Sequence, residues 1–411
     1  MSGILAGRTV LELGSMIAAP FATHILQQLG ASVIKIEPPG GETTRKLVRG
    51  GPSGTYIAYN RGKKSICLNM QTEEGARIFR ELVATADVVL HNLSPSAAKK
   101  MRVTFKDCEA IKPGIVFCHI KGYGQGPQSE EIASNPIAEA ATGVMFANRP
   151  TGKPARLGPS YHDQFAGCYA VIGVLSALLD ANASPERRNI ELGLYETGLH
   201  IAARELVGIQ LKSQITGRPE QEPSPEFSMP GYGAYETSDG RWIYLVMLND
   251  EHWRKFSFAA GLETDPELAT LRQRRKQRPI VEDIVTKAVG ARTYSALAAA
   301  LTVAGVGFTE VLPGDAVLDA EQANNPPKYT SLPFASFTFD APDFPVSSAV
   351  DKVDLEAPPP LLGEQTVALL RQAGYLDGDI DRLIESGAVD SASGVEDLWN
   401  TGNNVTTVAA L

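Results

Sequence analysis

Cysteine is scarce in this 411-residue chain: Cys67, Cys108, Cys118 and Cys168 are the four present, and no two form a C-x-x-C pair. Their spacing suggests no zinc cage or dithiol redox centre, so no metal is expected and the thiols read as buried and reduced. Basic residues are also outnumbered, 38 Lys and Arg against 47 Asp and Glu, for a net charge of -9 and a pI near 5.3. Without a basic surplus the chain has no field for wrapping nucleic acid or coating an anionic membrane, so any anionic ligand must be met by local cations. No apolar run reaches the roughly 18 residues of a membrane span, and residues 1–8 lack the charged, apolar, small-residue order of a signal peptide. A cytoplasmic location is the expectation. The G-x-G-x-x-G and P-loop fingerprints are missing too, because the turn over residues 13–19 holds Gly14 alone. NAD and ATP are therefore not the expected ligands.

What the chain does contain is ordinary globular material, 43% hydrophobic and 21% charged, enough for two or three domains. Its first 125 or so residues alternate between strand and helix patterns. Residues 9–13 and 32–37 read as buried strands, and between them Phe21, Ile25, Leu26 and Leu29 share one helical face that follows Pro20 and stops at Gly30. Helices over 73–83 and 105–111 and strands over 87–90 and 114–120 continue the alternation, which predicts a parallel sheet. The loops that follow these strands, around residues 14–17, 38–41, 91–94 and 121–125, should crowd its carboxyl edge, where open α/β sheets bind ligands. Lys63, Lys64, Lys100 and Lys121 lie near them and could neutralise phosphates, although lysines near loops are more commonly solvated surface.

Farther on, residues 168–179 form a helix that is apolar nearly all round, and residues 188–197 resume a strand. The polar run over 216–226 reads as a linker. A hairpin over 231–246, turning at Ser238-Asp239-Gly240, opens a smaller α+β region that is helical to about residue 304. A helix over 363–374 closes the pattern, and 391–411 has weak periodicity. The expected division is a large domain over 1–215, a small domain with its linker over 216–330, a return to the large domain over 331–390 and a mobile tail.

One segment stands out. Gly158-Pro159-Ser160-Tyr161-His162-Asp163 precedes Ala166-Gly167 and the apolar helix, so Asp163 reads equally as a helix N-cap or as a carboxylate nucleophile. Neighbouring His162 is at most a pocket residue. Tyr123 and Gln125 follow a strand and could place a substrate carboxylate. His200 and Arg204 sit at helical spacing and could face an acyl group, with a surface i,i+4 pair as the alternative.

The ordered set of Val10-Leu11-Glu12-Leu13-Gly14, the 31–37 strand ending in Glu37, Asn60-Arg61-Gly62-Lys63-Lys64, Ala86-Asp87 through Asn92, Lys121-Gly122-Tyr123-Gly124-Gln125-Gly126, Asp163 and Leu362-Gly363-Glu364-Gln365-Thr366 resembles the class III CoA-transferases, the formyl-CoA and carnitine CoA-transferase group. The resemblance spans about residues 4–388. It implies an interlocked homodimer whose large Rossmann-like domain uses both ends of each chain, with a smaller α+β domain between. It implies Asp163 as nucleophile, acyl-CoA and a carboxylic acid as substrates, and no tightly bound cofactor. CoA would touch Ile17, Ala18, Leu68 to Gln71, Asn92, Leu93, Ser94, Lys100, Lys121 and Tyr123. Pro38 replaces an arginine that meets the nucleotide in formyl-CoA transferase, leaving Arg45, Lys63 or Lys100 to supply the charge. The glycine-repeat loop of that enzyme is missing, with Phe227 to Gly233 in its place, which argues against an oxalate site.

The chemistry expected is attack by the Asp163 carboxylate on a thioester, giving a mixed anhydride and then an aspartyl-CoA thioester. Small residues around Asp163 would let backbone amides approach the oxyanion. His200, Arg204 and Arg241 are candidate cations for a second carboxylate, favouring a dicarboxylic donor such as succinyl-CoA. The alternatives are an α-methylacyl-CoA racemase and a non-catalytic CoA binder. A racemase needs a partner base, and Ser134-Asn135-Pro136 stands where those enzymes carry Gly-His-Asp.

Overall fold

The structure, a computed structural model, describes residues 3–48, 52–149, 152–180, 182–221, 229–263, 265–320, 324–346 and 357–391. It divides into two compact units, Met1–Val207 with Tyr329–Leu411, and Gly208–Lys328. The class is α/β with a Rossmann-like sheet, as the sequence pattern and the resemblance led us to expect.

The first unit is built on strands β1 (Thr9–Leu13), β2 (Ser32–Glu37), β3 (Lys64–Leu68), β4 (Val88–His91), β5 (Val116–Lys121) and β6 (Asn189–Gly193). They lie in the order 3-2-1-4-5-6, every pair parallel, which is the doubly wound arrangement whose strand order reverses between β1 and β4. Alternate residues feed two cores. Val10, Val33 and Val88 pack with the helices Ala18–Gln28 and Tyr161–Leu179 on one face, while Leu11, Ile34 and Val89 pack with Glu73–Thr85 on the other. Both faces are covered, so the strands read as near-continuous apolar runs.

The late part of the chain completes this sheet. Helices Thr366–Gln372 and Asp377–Glu385 join the second core, and a short antiparallel strand, Val389–Asp390, pairs with β3. The side chains of Gln365 and Thr366 accept from the N–H groups of Ser65 (2.7 Å) and Cys67 (3.1 Å), which satisfies backbone donors at the edge of β3. Strand β3 itself was not expected from the pattern, because it begins with the polar pair Lys64-Ser65.

The second unit has a three-stranded antiparallel sheet of Gly233–Glu236, Trp242–Val246 and Gly307–Glu310. Its hairpin turns through Gly240, at φ 75°, as the Asp-Gly signal predicts. The helices Asp250–Ala260, Arg278–Gly290 and Tyr294–Ala304 pack a separate core on that sheet. Residues 222–226 of the expected linker and the tail from 392 lie outside the described residues.

Two expectations need correction. Strand β6 ends at Gly193, where the helix Leu194–Ile201 begins, so residues 194–197 are helical. The apolar helix starts at Tyr161 rather than Cys168 and runs 19 residues, long and apolar enough to cross a membrane by length and composition. Its Ala166, Ala170 and Val174 are buried in the core against the Ala18–Gln28 helix.

Candidate active site

A cavity of about 430 Å³ opens at the carboxyl edge where β1 and β4 adjoin, the place the strand order assigns to a ligand. Ile17, Ala18, Asn92, Leu93, Ser94 and Lys121 line it together with Asp163. Ile17 and Ala18 are there because the Ala18–Gln28 helix begins directly after β1. No side chain caps that helix start, so the N–H groups of Ala18 and Ala19 are left for an anion, Pro20 having none. Met16, just before it, holds a left-handed φ of 65°, a conformation that costs a non-glycine residue about 1 kcal/mol or more. Asn92 clamps the two loops: its Oδ1 accepts from Ser15 N–H at 3.0 Å, and its Nδ2 donates to Ser15 O at 2.8 Å.

Asp163 is the third residue of its helix, with Ser160 at the N-cap, so the simple N-cap reading is set aside. The capping is done from elsewhere. Asn135 Oδ1 accepts from the N–H of His162 (3.0 Å) and of Asp163 (3.3 Å). The Asp163 carboxylate is thereby released from serving its own helix, and among the described residues it accepts no hydrogen bond. Burial pushes its carboxyl up to about 7, Arg156 opposing and Glu139 reinforcing the rise.

Glu139 and Arg156 were not anticipated. The Glu139 side chain is fully buried, with Oε1 accepting from Asn135 Nδ2 and Oε2 without a hydrogen-bond partner. Arg156 Nε lies 3.7 Å from that oxygen, and the guanidinium is about half exposed at the cavity wall. A lone acid four residues after Asn135 in an otherwise apolar helix, Asn135–Ala141, was the signal to find: buried acids demand a partner.

Other expected residues lie elsewhere. Arg45 is buried, held by Glu37 through two 2.6 Å bonds, and Lys63 is buried on Glu12 at 2.7 Å, so neither is available to a phosphate. Leu68 is buried where Val389 pairs with it, and Gln71 is exposed outside the cavity. Tyr123 packs its ring at a tilt against Tyr195, centroids 5.7 Å apart, and Gln125 is exposed; neither lines the cavity. Lys121 does line it but is neutralised by Glu191 at 2.9 Å. Lys100 is exposed and makes no ion pair among the described residues. His162 points into the core, where its Nε2 meets Thr142 Oγ1 at 3.2 Å and its ring occupies the space left by Gly198. His200 bonds Tyr169 at 2.6 Å, Arg204 pairs with its neighbour Glu205, and Arg241 pairs with Glu310 in the second unit.

Gly167 also has a different reason from the one expected. A Cβ there would come within 2.9 Å of Phe21 and 3.1 Å of Ala18 O, so the glycine lets two helices approach rather than opening amides to an oxyanion. Among the described residues no group of three or more His, Cys, Asp or Glu side chains could hold a metal ion. A larger groove of about 700 Å³ is lined by Arg77, Glu81 and Tyr375. Most of its charges are paired, Arg77 and Tyr375 bonding Glu81 at 3.1 and 2.6 Å and Arg382 pairing with Asp379.

Residues 5–366 match the profile of CoA-transferase family III. The chain is 31% identical to the succinyl-CoA–D-citramalate CoA-transferase of Chloroflexus aurantiacus over 293 residues, covering 67% of this chain and 70% of that protein. It is 29% identical to the human succinyl-CoA:glutarate CoA-transferase over 404 residues, 94% of this chain and 90% of that one. The crystal structure of a CAIB/BAIF family protein from Brucella suis superimposes with a TM-score of 0.80 at 25% identity, over 91% of this chain and all of that one.

Proposed function

The chain belongs to CoA-transferase family III, and from that premise we propose that Asp163 is the nucleophile with which it moves CoA from a dicarboxylic acyl-CoA, such as succinyl-CoA, to a carboxylic acid. The observation that carries this is the Asp163 carboxylate itself, which stands at the switch-point cavity with no hydrogen bond among the described residues while Asn135 caps its helix.

The carboxylate oxygen forms a bond to the thioester carbonyl carbon, and the C–S bond breaks to release CoA thiolate. The thiolate attacks the aspartyl carbonyl of the mixed anhydride, and the donor leaves as its free carboxylate. The acceptor carboxylate then attacks the aspartyl-CoA thioester, and the freed thiolate takes the new acyl group from the second anhydride, regenerating Asp163. No proton is consumed, so the absence of histidine from the cavity lining is no obstacle. The uncapped N–H groups at the start of the Ala18–Gln28 helix can stabilise negative charge developing on the carbonyl oxygen. Lys100, exposed and without an ion pair among the described residues, is the one of the three expected cations still free to answer for Pro38 in meeting a CoA phosphate.

A dicarboxylic donor is supported by the substrates named for the relatives, succinyl-CoA with citramalate or glutarate. The same reading includes an interlocked homodimer in the cytoplasm, and Ile172 and Leu179, 58% and 82% exposed on the Asp163 helix, are apolar surface that a second copy would cover. Mass spectrometry of the protein after incubation with succinyl-CoA tests the nucleophile. A CoA adduct on Asp163 that Asp163→Ala lacks is the expected result, and the absence of any adduct from the parent protein overturns the reading.

A further inference from the structure

We infer that Arg156 receives the distal carboxylate of the dicarboxylic substrate and thereby sets the choice between dicarboxylic and monocarboxylic acyl groups. This rests on the transferase reading above and adds the residue that the sequence did not reveal.

Two cationic side chains, Lys121 and Arg156, line the cavity that holds Asp163. Lys121 is already neutralised by Glu191 at 2.9 Å, with only 9% of its side chain exposed. The three cations suggested by sequence are occupied outside the cavity, His200 by Tyr169, Arg204 by Glu205 and Arg241 by Glu310. Arg156 differs from all of them. Its one ion pair among the described residues is a 3.7 Å approach of Nε to Glu139, and it donates no hydrogen bond there. The two terminal nitrogens therefore present an unused fork, the geometry that grips a carboxylate with two parallel bonds.

The fork is also held in place. Asn148 Nδ2 donates to Arg156 O at 2.8 Å and to Ala155 O at 3.2 Å, which fixes the backbone that carries it. On the side-chain end stands Glu139, fully buried, with Oε2 short of a hydrogen-bond partner. A buried carboxylate that has no hydrogen bond on one oxygen keeps a nearby guanidinium close to it. Glu139 in turn is tied through Asn135 to the N–H groups of His162 and Asp163. Hydrogen bonds thus run from the nucleophile's helix to Glu139, and a 3.7 Å ion pair continues the path to the cation.

Charge balance makes the arrangement more than a binding clip. While Asp163 is free, its carboxylate and that of Glu139 both act on Arg156, and a substrate carboxylate must compete with them. Once Asp163 is acylated, as anhydride or as thioester, it is neutral, and it no longer competes for the field of Arg156. The distal carboxylate is held more tightly in the covalent intermediates than in the initial complex, and interactions that strengthen along the reaction raise kcat as well as lowering KM.

The test compares Arg156→Gln with the parent protein in the half-reaction that forms aspartyl-CoA. Succinyl-CoA and butyryl-CoA, equal in carbon count, serve as donors, and the adduct on Asp163 is followed by mass under single-turnover conditions. The parent is expected to react faster with succinyl-CoA. In Arg156→Gln, assayed well above pH 7 because losing Arg156 raises the Asp163 carboxyl further and so slows both donors near neutrality, the rate constant for succinyl-CoA relative to that for butyryl-CoA should fall about a hundredfold, and Arg156→Lys should recover part of the loss. Retention of the butyryl-CoA reaction shows that the variant is folded. A parent preference for succinyl-CoA that survives unchanged in Arg156→Gln overturns this inference alone, as does an equal loss with both donors. A parent protein that forms the adduct without preferring succinyl-CoA overturns the dicarboxylic reading itself.

Discussion

Glu12 and Asp163 are carboxylates near the carboxyl edge of the same sheet, and their surroundings drive them in opposite directions. Glu12, on β1, is wholly buried and receives Lys35 on Oε1 and Lys63 on Oε2, each at 2.7 Å, with Thr23 Oγ1 adding a bond at 2.6 Å. Burial alone would raise its carboxyl, yet the two ammonium groups overcome that and hold it at about 2. Asp163 is less completely buried but has no bonded cation to offset the cost, since Arg156 is shared with Glu139, and its carboxyl rises to about 7. Every polar bond that Glu12 makes is spent on holding β1, β2, the Ala18–Gln28 helix and the Asn60–Lys63 turn together. The carboxylate of Asp163 is left unsatisfied, and an unsatisfied carboxylate beside a cavity can bond to something else.

The contrast can be broken most severely at Glu12. Glu12→Ala leaves two buried ammonium groups with their principal anion removed, so a loss of about 3–5 kcal/mol in urea unfolding is expected. A loss below about 1 kcal/mol would mean that the network matters little to the fold.

At the other carboxylate the same kind of change should have the opposite sign. Ionising a carboxyl raised from 3.8 to about 7 costs the folded state up to roughly 4 kcal/mol. Asp163→Asn should therefore abolish turnover yet raise Tm at pH 8. Asp163 contributes stability that is complete below its unfolded value of 3.8 and is lost as pH rises through about 7, so the gain in the Asn variant should grow from about pH 4 and level off above about 7.5. Glu12 behaves in reverse, contributing stability that is complete above 4.5 and lost as pH falls through about 2. Calorimetry of both variants from pH 3 to 9 separates the two; a Tm gain for Asp163→Asn that ignores pH would contradict this assignment.

A smaller effect concerns the rate. Adduct formation requires ionised Asp163 and should rise with pH through about 7, and Glu139→Gln, by removing a neighbouring negative charge, should move that midpoint down. A pH profile with the midpoint unmoved would show that Glu139 does not act on the nucleophile. The smallest change is expected at Arg204, a solvent-exposed partner of Glu205. Arg204→Ala should alter stability by less than about 1 kcal/mol and leave the ratio of succinyl-CoA to butyryl-CoA rates as it was.

Much of the architecture could be read from the chain, and the misses have physical causes. Buried parallel strands are apolar on both faces, so β1, β2, β4 and β5 stood out as runs, and the Asp-Gly hairpin of the second unit announced its own turn. Strand β3 did not, because Lys64-Ser65 begins it and Ser65 Oγ is bonded to Glu37 deep in the interior. The start of the Asp163 helix was placed too late, since its first turn, Tyr161-His162-Asp163-Gln164, is polar and is capped by Asn135 from 28 residues away. No local pattern contains that hydrogen bond.

Residue order along the chain by itself determined the alternation that makes a doubly wound sheet, the loops gathered at its edge, and, through the resemblance, the choice of Asp163. Those properties depend on neighbours in sequence and on period, which a single chain displays. Tertiary structure alone decided which charges are used up. Arg45, Lys63, Lys121 and Arg204 look as available in the sequence as Arg156, but each is paired by a carboxylate at 3 Å or less. A charge is cancelled by whatever lies a few ångströms away in space, and for all of these but Arg204 that partner is brought there only by the folded sheet.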